Sequence, residues 1–307
     1  MSHNFSQDFY KRIVVFGDSY SDTNNVYKLT GGEWPAPQYC KGRFSDGPVW
    51  SEYVAKDLNL ELVNYAYGGA TSDSIRQCLK VVIYLVGYSG KKCDVLVPGM
   101  LQQVSQFLKD FSSKTNFDNT LVVTWLVFND YGFSNFTANP KKVVSRVALS
   151  WKNLYENGVR NFLIPNIPDF TYYPVFRTES VAHIARLKTI VRKHNDALQN
   201  AIQKFRYDYP DAVVHTFAAD QFFNYYRTIE AKFRRVVYTK EEKEEYDNCA
   251  KLCVSVEDMC RHRRTRSRRR NSLQKSVFYI DDYHPATNVH FAFAAGITET
   301  LLDYFMY

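Results

Sequence analysis

An apolar run, Ile13-Val14-Val15-Phe16, stops abruptly at Gly17-Asp18-Ser19, and much later in the chain Asp281 precedes His284 by three residues on a stretch ending at Pro285. A serine hydroxyl becomes a nucleophile for acyl transfer when a neutral imidazole takes its proton. That imidazole in turn needs a carboxylate to fix its tautomer and stabilise the cation it becomes. Ser19, His284 and Asp281 have the residue types to fill those three positions. Each also has a plainer reading: Gly-Asp-Ser is common turn chemistry, and a single histidine in a loop is ordinarily a solvated side chain. Two more polar clusters stand where apolar runs stop, Gly68-Gly69-Ala70-Thr71-Ser72 and Asn129-Asp130.

The elements that must position these residues alternate between strand and helix. Four apolar residues without alternation suit a parallel strand buried on both faces, and a turn after such a strand lies at the sheet's carboxyl edge, where open α/β sheets bind ligands. Further strands are expected at Leu60 to Tyr67, Leu121 to Phe128, Asn161 to Ile164 and Val213 to His215. Between them fall helical patterns: Val49 to Leu58 behind Ser45-Asp46-Gly47-Pro48, Leu101 to Phe111 after Pro98, Val143 to Tyr155 closing at Gly158, and Ile184 to Phe205 ending near Pro210. Val289 to Phe305 is expected to be the last helix. Such alternation argues α/β architecture, a mainly parallel sheet of four to five strands covered by helices on both faces. From Phe217 to about Tyr279 the periodicity weakens. We expect residues 1–307 to form one domain with an irregular insertion at about 217–279.

Gly17-Asp18-Ser19, Gly69, Asn129-Asp130 and Asp281-x-x-His284, in that order and at that wide spacing, resemble the four blocks of the GDSL, or SGNH, hydrolase family. Phe16 to Asn24, Gly42 to Trp50 and Asn64 to Ala70 are similar to its fungal and plant branch, which includes carbohydrate acetylesterases and lipase-like acylhydrolases. The resemblance implies a flavodoxin-like three-layer α/β/α sandwich and a serine esterase working through an acyl-enzyme, on acetyl or longer acyl esters of carbohydrate or lipid. It implies Ser19 as nucleophile, His284 as base and acid, and Asp281 as its orienting carboxylate, with Asp282 as the rival. It also implies an oxyanion hole from the backbone N–H groups of Ser19 and Gly69 and the side-chain amide of Asn129, with Gly68 the rival glycine. No cofactor and no metal are expected. The third block departs from Gly-x-Asn-Asp: Val127 stands where the glycine is usual, and the valine is expected to narrow the pocket or shift the loop, bearing on efficiency and substrate shape more than on reaction type.

Two other classes fit less well. A catalytically weak or inactive binding protein of the same fold has no reason to keep all five site residues. A flavin or phosphate binder would want a glycine-rich cradle after the first strand, where Asp18 repels phosphate. The formal charge is +7, but Arg261, Arg263, Arg264, Arg266, Arg268, Arg269 and Arg270 account for it: removing these seven from the 39 basic residues leaves the count level with the 32 acidic ones. Nucleic acid is therefore not an expected partner; a small-molecule ester is. The arginine run reads as a solvated loop, a nuclear-import-like or anionic-surface patch, or, through Arg269-Arg270-Asn271-Ser272, a basic-directed kinase site.

The six cysteines, Cys40, Cys78, Cys93, Cys249, Cys253 and Cys260, suit disulfides or plain thiols better than zinc, for want of a Cys-x-x-Cys pair. Asn4-Phe5-Ser6 and Asn135-Phe136-Thr137 are glycosylation sequons. Residues 1 to 12 hold no apolar leader and no transmembrane run occurs, so a cytoplasmic protein or a trimmed secreted chain is expected. The aromatic residues Phe222, Phe223, Tyr225 and Tyr226 are candidates for a sugar or acyl site, with core packing the alternative.

Overall fold

The computed structural model describes residues 9–36, 39–73, 96–111, 115–229 and 278–306. The arginine run 261–270, the Asn4 sequon and every cysteine except Cys40 lie outside the described residues. Cys40 is disulfide-bonded.

The sheet is built around β1 (Arg12–Gly17), whose Ile13, Val14, Val15 and Phe16 are fully buried, as an unalternating apolar strand requires. β1 pairs in parallel with β2 (Glu61–Asn64) on one side and with β3 (Thr120–Trp125) on the other; β4 (Asn161–Pro165) and β5 (Val213–Phe217) extend the β3 side. The order β2-β1-β3-β4-β5 is flavodoxin-like: the chain leaves β1 in one direction and returns past it in the other. That reversal opens a crevice at the carboxyl end of β1.

Helices cover both faces. One face packs Ile13 and Val15 against α2 (Trp50–Asp57), α7 (Ala219–Ile229) and α8 (Thr287–Met306), through Trp50, Val54, Phe223, Val289, Phe293 and Ile297. The other packs Val14 and Phe16 against α3 (Met100–Asp110), α5 (Pro140–Glu156) and α6 (Val181–Asp208), through Val104, Phe107, Val147, Trp151, Leu198 and Phe205. Two short helices, α1 (Asn25–Leu29) and α4 (Asn129–Phe133), follow the turns after β1 and β3. Among the described residues no helix is long and apolar enough to cross a membrane.

The helix ends follow local chemistry. Asn139 accepts the N–H of Lys141 with Pro140 in the first turn of α5, Ser180 accepts the N–H of His183 at α6, and Gly158 follows α5 at φ +97°. Asp46, expected beside the start of α2, instead accepts the N–H of Thr287 at 2.7 Å and so caps α8 from across the fold. Glu52 accepts the N–H of Val49 in its place.

Three expectations need correction. The second strand ends at Asn64, not Tyr67: the Asn64 side chain accepts the N–H of Ala66 and donates to the Ser21 carbonyl, and beyond it only the N–H groups of Tyr65 and Tyr67 still reach the Val15 and Gly17 carbonyls of β1. The third ends at Trp125, not Phe128. Finally, the stretch after Phe217 begins with a regular helix, α7, whose Phe223 and Tyr226 are buried on the core while Tyr225 faces out. Its helical stripe is short and aromatic on both sides, which hid it.

Candidate active site

Ser19 lies two residues beyond β1, in a turn closed by N–H groups of Ser21 and Asp22 bonding to the Asp18 carbonyl. Its Oγ is 2.8 Å from Nε2 of His284, and Nδ1 of His284 is 2.7 Å from Oδ2 of Asp281. A carboxylate only accepts, so Nδ1 carries the imidazole proton and Nε2 is left to accept from the serine hydroxyl. Ser19 and His284 are both buried. The loop Phe278 to Ala286 that carries the pair is folded on itself by Ile280 N–H to the His284 carbonyl and Ala286 N–H to the Phe278 carbonyl.

Asp281 is held from every side. Its Oδ1 accepts the backbone N–H groups of Tyr283 at 2.6 Å and His284 at 2.7 Å, and its Oδ2 accepts the Tyr39 hydroxyl at 2.5 Å besides the imidazole. Burial alone would raise its pKa; the nearby His284, with the hydrogen bonds from His284, Tyr39 and Tyr283, outweighs that and holds the carboxyl below its ordinary value. Asp282 is exposed and has no bond to the imidazole among the described residues, so it is Asp281 that the structure sets against His284.

A pocket over Ser19 is lined by Gly69, Asn129 and His284 together with the rings of Phe44, Phe128, Phe133, Tyr173 and Tyr283. Of the two adjacent glycines, Gly68 has its N–H committed to Oδ2 of Asp22 at 2.8 Å, and a Cβ there would meet the Phe44 ring at 2.1 Å. Gly69 sits at φ +85° and lines the pocket. Among the described residues its N–H and that of Ser19 have no protein acceptor. Asn129 donates one amide hydrogen to the Ala70 carbonyl at 2.9 Å, which orients the side chain and leaves its second hydrogen for a ligand. Asp130, next to it, faces away to Ser72.

Buried groups not singled out from sequence hold this arrangement. Asp18 accepts the N–H of Val127 at 2.8 Å, tying the turn after β1 to the segment after β3. Asp22 accepts the N–H groups of Asn24, Asn25, Val26 and Gly68. Burial pushes both carboxyls up to about 6 despite these donors. Gln103, fully buried on α3, accepts the N–H of Gly17 and donates to its carbonyl, both at 2.9 Å, and also donates to Pro98. No spacing rule links Gln103 to Gly17.

Val127 does not narrow the pocket: it is buried in the core packed on that face of the sheet and is not among the lining residues. Phe128 shapes that wall, its ring against Phe170, Tyr173 and Tyr283, with room provided by Gly132, where a Cβ would meet the ring at 2.5 Å. Phe222, Phe223, Tyr225 and Tyr226 are not among the lining residues.

A flavodoxin-like three-layer sandwich with a serine, a histidine and an aspartate in hydrogen-bonded series at its carboxyl edge has the architecture of a serine hydrolase. The chain matches the GDSL-like lipase/acylhydrolase family model over residues 13–297 and belongs to that family, whose members are hydrolases acting on ester bonds. It is 30% identical over 223 residues to a phosphatidylcholine-sterol acyltransferase of Aeromonas hydrophila, covering 71% of this chain and 61% of that protein. It is 29% identical over 195 residues to a thermolabile hemolysin of Vibrio parahaemolyticus, covering 62% and 42%, and 25% identical over 214 residues to an acetylesterase of Thermothelomyces thermophilus, covering 64% and 66%. The matched part spans less than two thirds of each relative's own length.

Proposed function

We propose that this protein is a serine acylhydrolase that cleaves carboxylic esters through an acyl-enzyme on Ser19. The observation that carries the reading is the continuous series from Ser19 Oγ to His284 Nε2 at 2.8 Å and from His284 Nδ1 to Asp281 Oδ2 at 2.7 Å, opening on a pocket beside two backbone N–H groups, of Ser19 and Gly69, that have no protein acceptor among the described residues.

In this reading Nε2 of His284 takes the hydroxyl proton as Oγ attacks the ester carbonyl. Asp281 stabilises the resulting imidazolium. The oxyanion of the tetrahedral intermediate lies against the N–H groups of Ser19 and Gly69 and the free amide hydrogen of Asn129, and each such preorganised donor contributes roughly 3 kcal/mol in the transition state. Collapse expels the alcohol, which receives the proton from Nε2. Water then attacks the acyl-enzyme by the same route, and Ser19 is regenerated.

The ring-lined walls favour an apolar acyl group over a charged one, with the alcohol, of a carbohydrate or a lipid, left toward the opening. Relatives named for a phosphatidylcholine-sterol acyltransferase and an acetylesterase are consistent with both acyl lengths. The same reading takes 1–307 as one catalytic domain, in keeping with the family match over 13–297.

The test is Ser19→Ala, assayed on nitrophenyl esters from acetyl to palmitoyl beside wild-type labelling by a fluorophosphonate. Turnover should fall by several orders of magnitude in a protein that still melts cooperatively, since loss of one member of such a unit removes most of the catalysis. Near-wild-type turnover in folded Ser19→Ala would refute the assignment.

A further inference from the structure

We propose that Tyr39 is a positioning residue for the reaction, a fourth member of the hydrogen-bonded series that sets how strongly Asp281 supports the imidazolium of His284. The inference rests on the acylhydrolase reading above.

Tyr39 comes from a different part of the chain, 242 residues before Asp281, yet its hydroxyl meets Oδ2 at 2.5 Å, the range of a charge-assisted O–H···O bond. Oδ2 is also the oxygen that accepts from Nδ1 of His284. With the N–H groups of Tyr283 and His284 on Oδ1, the carboxylate accepts four hydrogen bonds and can rotate in no direction without breaking two of them. The ring is fixed independently: it is buried and packs edge-on against Trp34 and His284 and tilted against Phe44. Tyr39 does not line the pocket, so it acts through Asp281 and not on a substrate.

Two effects follow from sharing one oxygen. The phenol draws negative charge on Oδ2 toward itself, leaving less for the imidazolium, and it locks the plane of the carboxylate so that what remains is aimed at Nδ1. The lowered pKa of Asp281, to which the Tyr39 hydrogen bond contributes, accords with this. The other titratable groups around the imidazole are fixed between variants: buried Asp18, buried His290, Tyr20, Tyr283 and exposed Asp282.

The experiment is the pH profile of kcat/KM on a nitrophenyl ester for wild type, Tyr39→Phe and protein carrying 3-fluorotyrosine at position 39. Tyr39→Phe removes one oxygen and keeps the ring. Its acidic limb should move to higher pH by at least ~0.5 unit, because the imidazolium now has Oδ2 to itself. Its kcat should fall about tenfold with KM within about twofold, as the carboxylate loses its lock. The fluorinated phenol, a stronger donor, should move the limb the opposite way, and this arm stands even if Tyr39→Phe fails to fold. A limb that stays within ~0.2 unit of wild type in the folded variants overturns the proposal, since a merely structural tyrosine alters stability and not the limb. Failure of the underlying reading is recognised separately, as retained turnover in Ser19→Ala, and would overturn this proposal with it.

Discussion

Gln103 offers the sharpest test of how the fold holds Ser19, the proposed nucleophile. Gly17 is the last residue of β1, and its N–H and carbonyl are both bonded by the Gln103 side chain, which the fully buried α3 position isolates from water. Gln103→Met keeps length and apolar volume while deleting three hydrogen bonds, those to the two groups of Gly17 and to Pro98. The Gly17 carbonyl retains the N–H of Tyr67 at 3.1 Å. The Gly17 N–H loses its acceptor, and stranding such a donor costs about 1–3 kcal/mol, with about 1 kcal/mol more for the Pro98 carbonyl. A total of about 2–4 kcal/mol lies inside the usual margin of about 5–15 kcal/mol, so the variant should fold. For a chain of 307 residues, whose unfolding entropy is about 0.6 kcal/mol/K, it should melt roughly 3–6 °C lower. Because Ser19 follows Gly17 by two residues, the labelling rate by a fluorophosphonate, measured well below both midpoints, should drop about tenfold or more through misplacement of Oγ. A Tm within ~1 °C of wild type would show that the Gly17 groups are satisfied elsewhere and that the magnitudes above do not apply.

Asp281→Asn should lower kcat by orders of magnitude, since Asn cannot hold the charge that stabilises the imidazolium, whereas Asp282→Asn, on an exposed side chain, should change it less than about threefold; steady-state kinetics on one ester decide, and the reverse ranking refutes the geometry. Stability should fall on acidification from pH 6 to 4, and the sign follows from the buried groups. Burial lowers His194 and His290 to about 3 and His215 to about 4, so their contribution is present at neutral pH and is lost as the unfolded chain takes up three protons. Burial raises Asp18 and Asp22 to about 6, so the folded chain takes up two protons over the same window, a contribution of opposite sign. The net of one proton gives a slope of about 1.4 kcal/mol per pH unit, which Asp22→Asn should double and His194→Gln should flatten; urea denaturation at pH 4, 5 and 6 measures it, and equal slopes in all three proteins would rule the account out.

How much of this was legible in the sequence depended on whether the signal was local. β1 and the turn at Ser19 could be read because a two-sided strand must be apolar throughout and the next residues were polar and glycine-bearing. Asp281 and His284 sit three apart on one loop, so their partnership was visible too. Choosing Asp281 over Asp282, and Gly69 over Gly68, rested on resemblance. In the structure the choices have physical grounds: Asp282 faces solvent, and the N–H of Gly68 is committed to Asp22. Tyr39 and Gln103 were not legible, because each acts on a residue 242 or 86 positions away and carries no periodic or motif signature. The helix Ala219–Ile229 was missed because its aromatic residues occupy both the buried and the exposed side, which erases the stripe that helical periodicity relies on.

Asp18 and Asp22 bear on why the site tolerates an unusual third block. The turn between them carries Ser19 and reaches both neighbouring strand ends, but it grips them by backbone N–H groups: Val127 after β3 through Asp18, Gly68 after β2 through Asp22. A backbone donor is indifferent to the side chain attached to it. Valine can therefore replace glycine at 127 and turn its side chain into the core, while Asn129, two residues on, stays anchored by the Ala70 carbonyl. The two carboxylates are costly to bury, as their raised pKa values record, and neither lies in hydrogen-bonded contact with the Ser19 hydroxyl among the described residues. Their burial is explained by position: in the proposed reaction, donors for a developing oxyanion act only if they are already in place before the charge appears, and here Gly68, beside Gly69, and Val127, two residues before Asn129, are both fastened to the turn that carries Ser19.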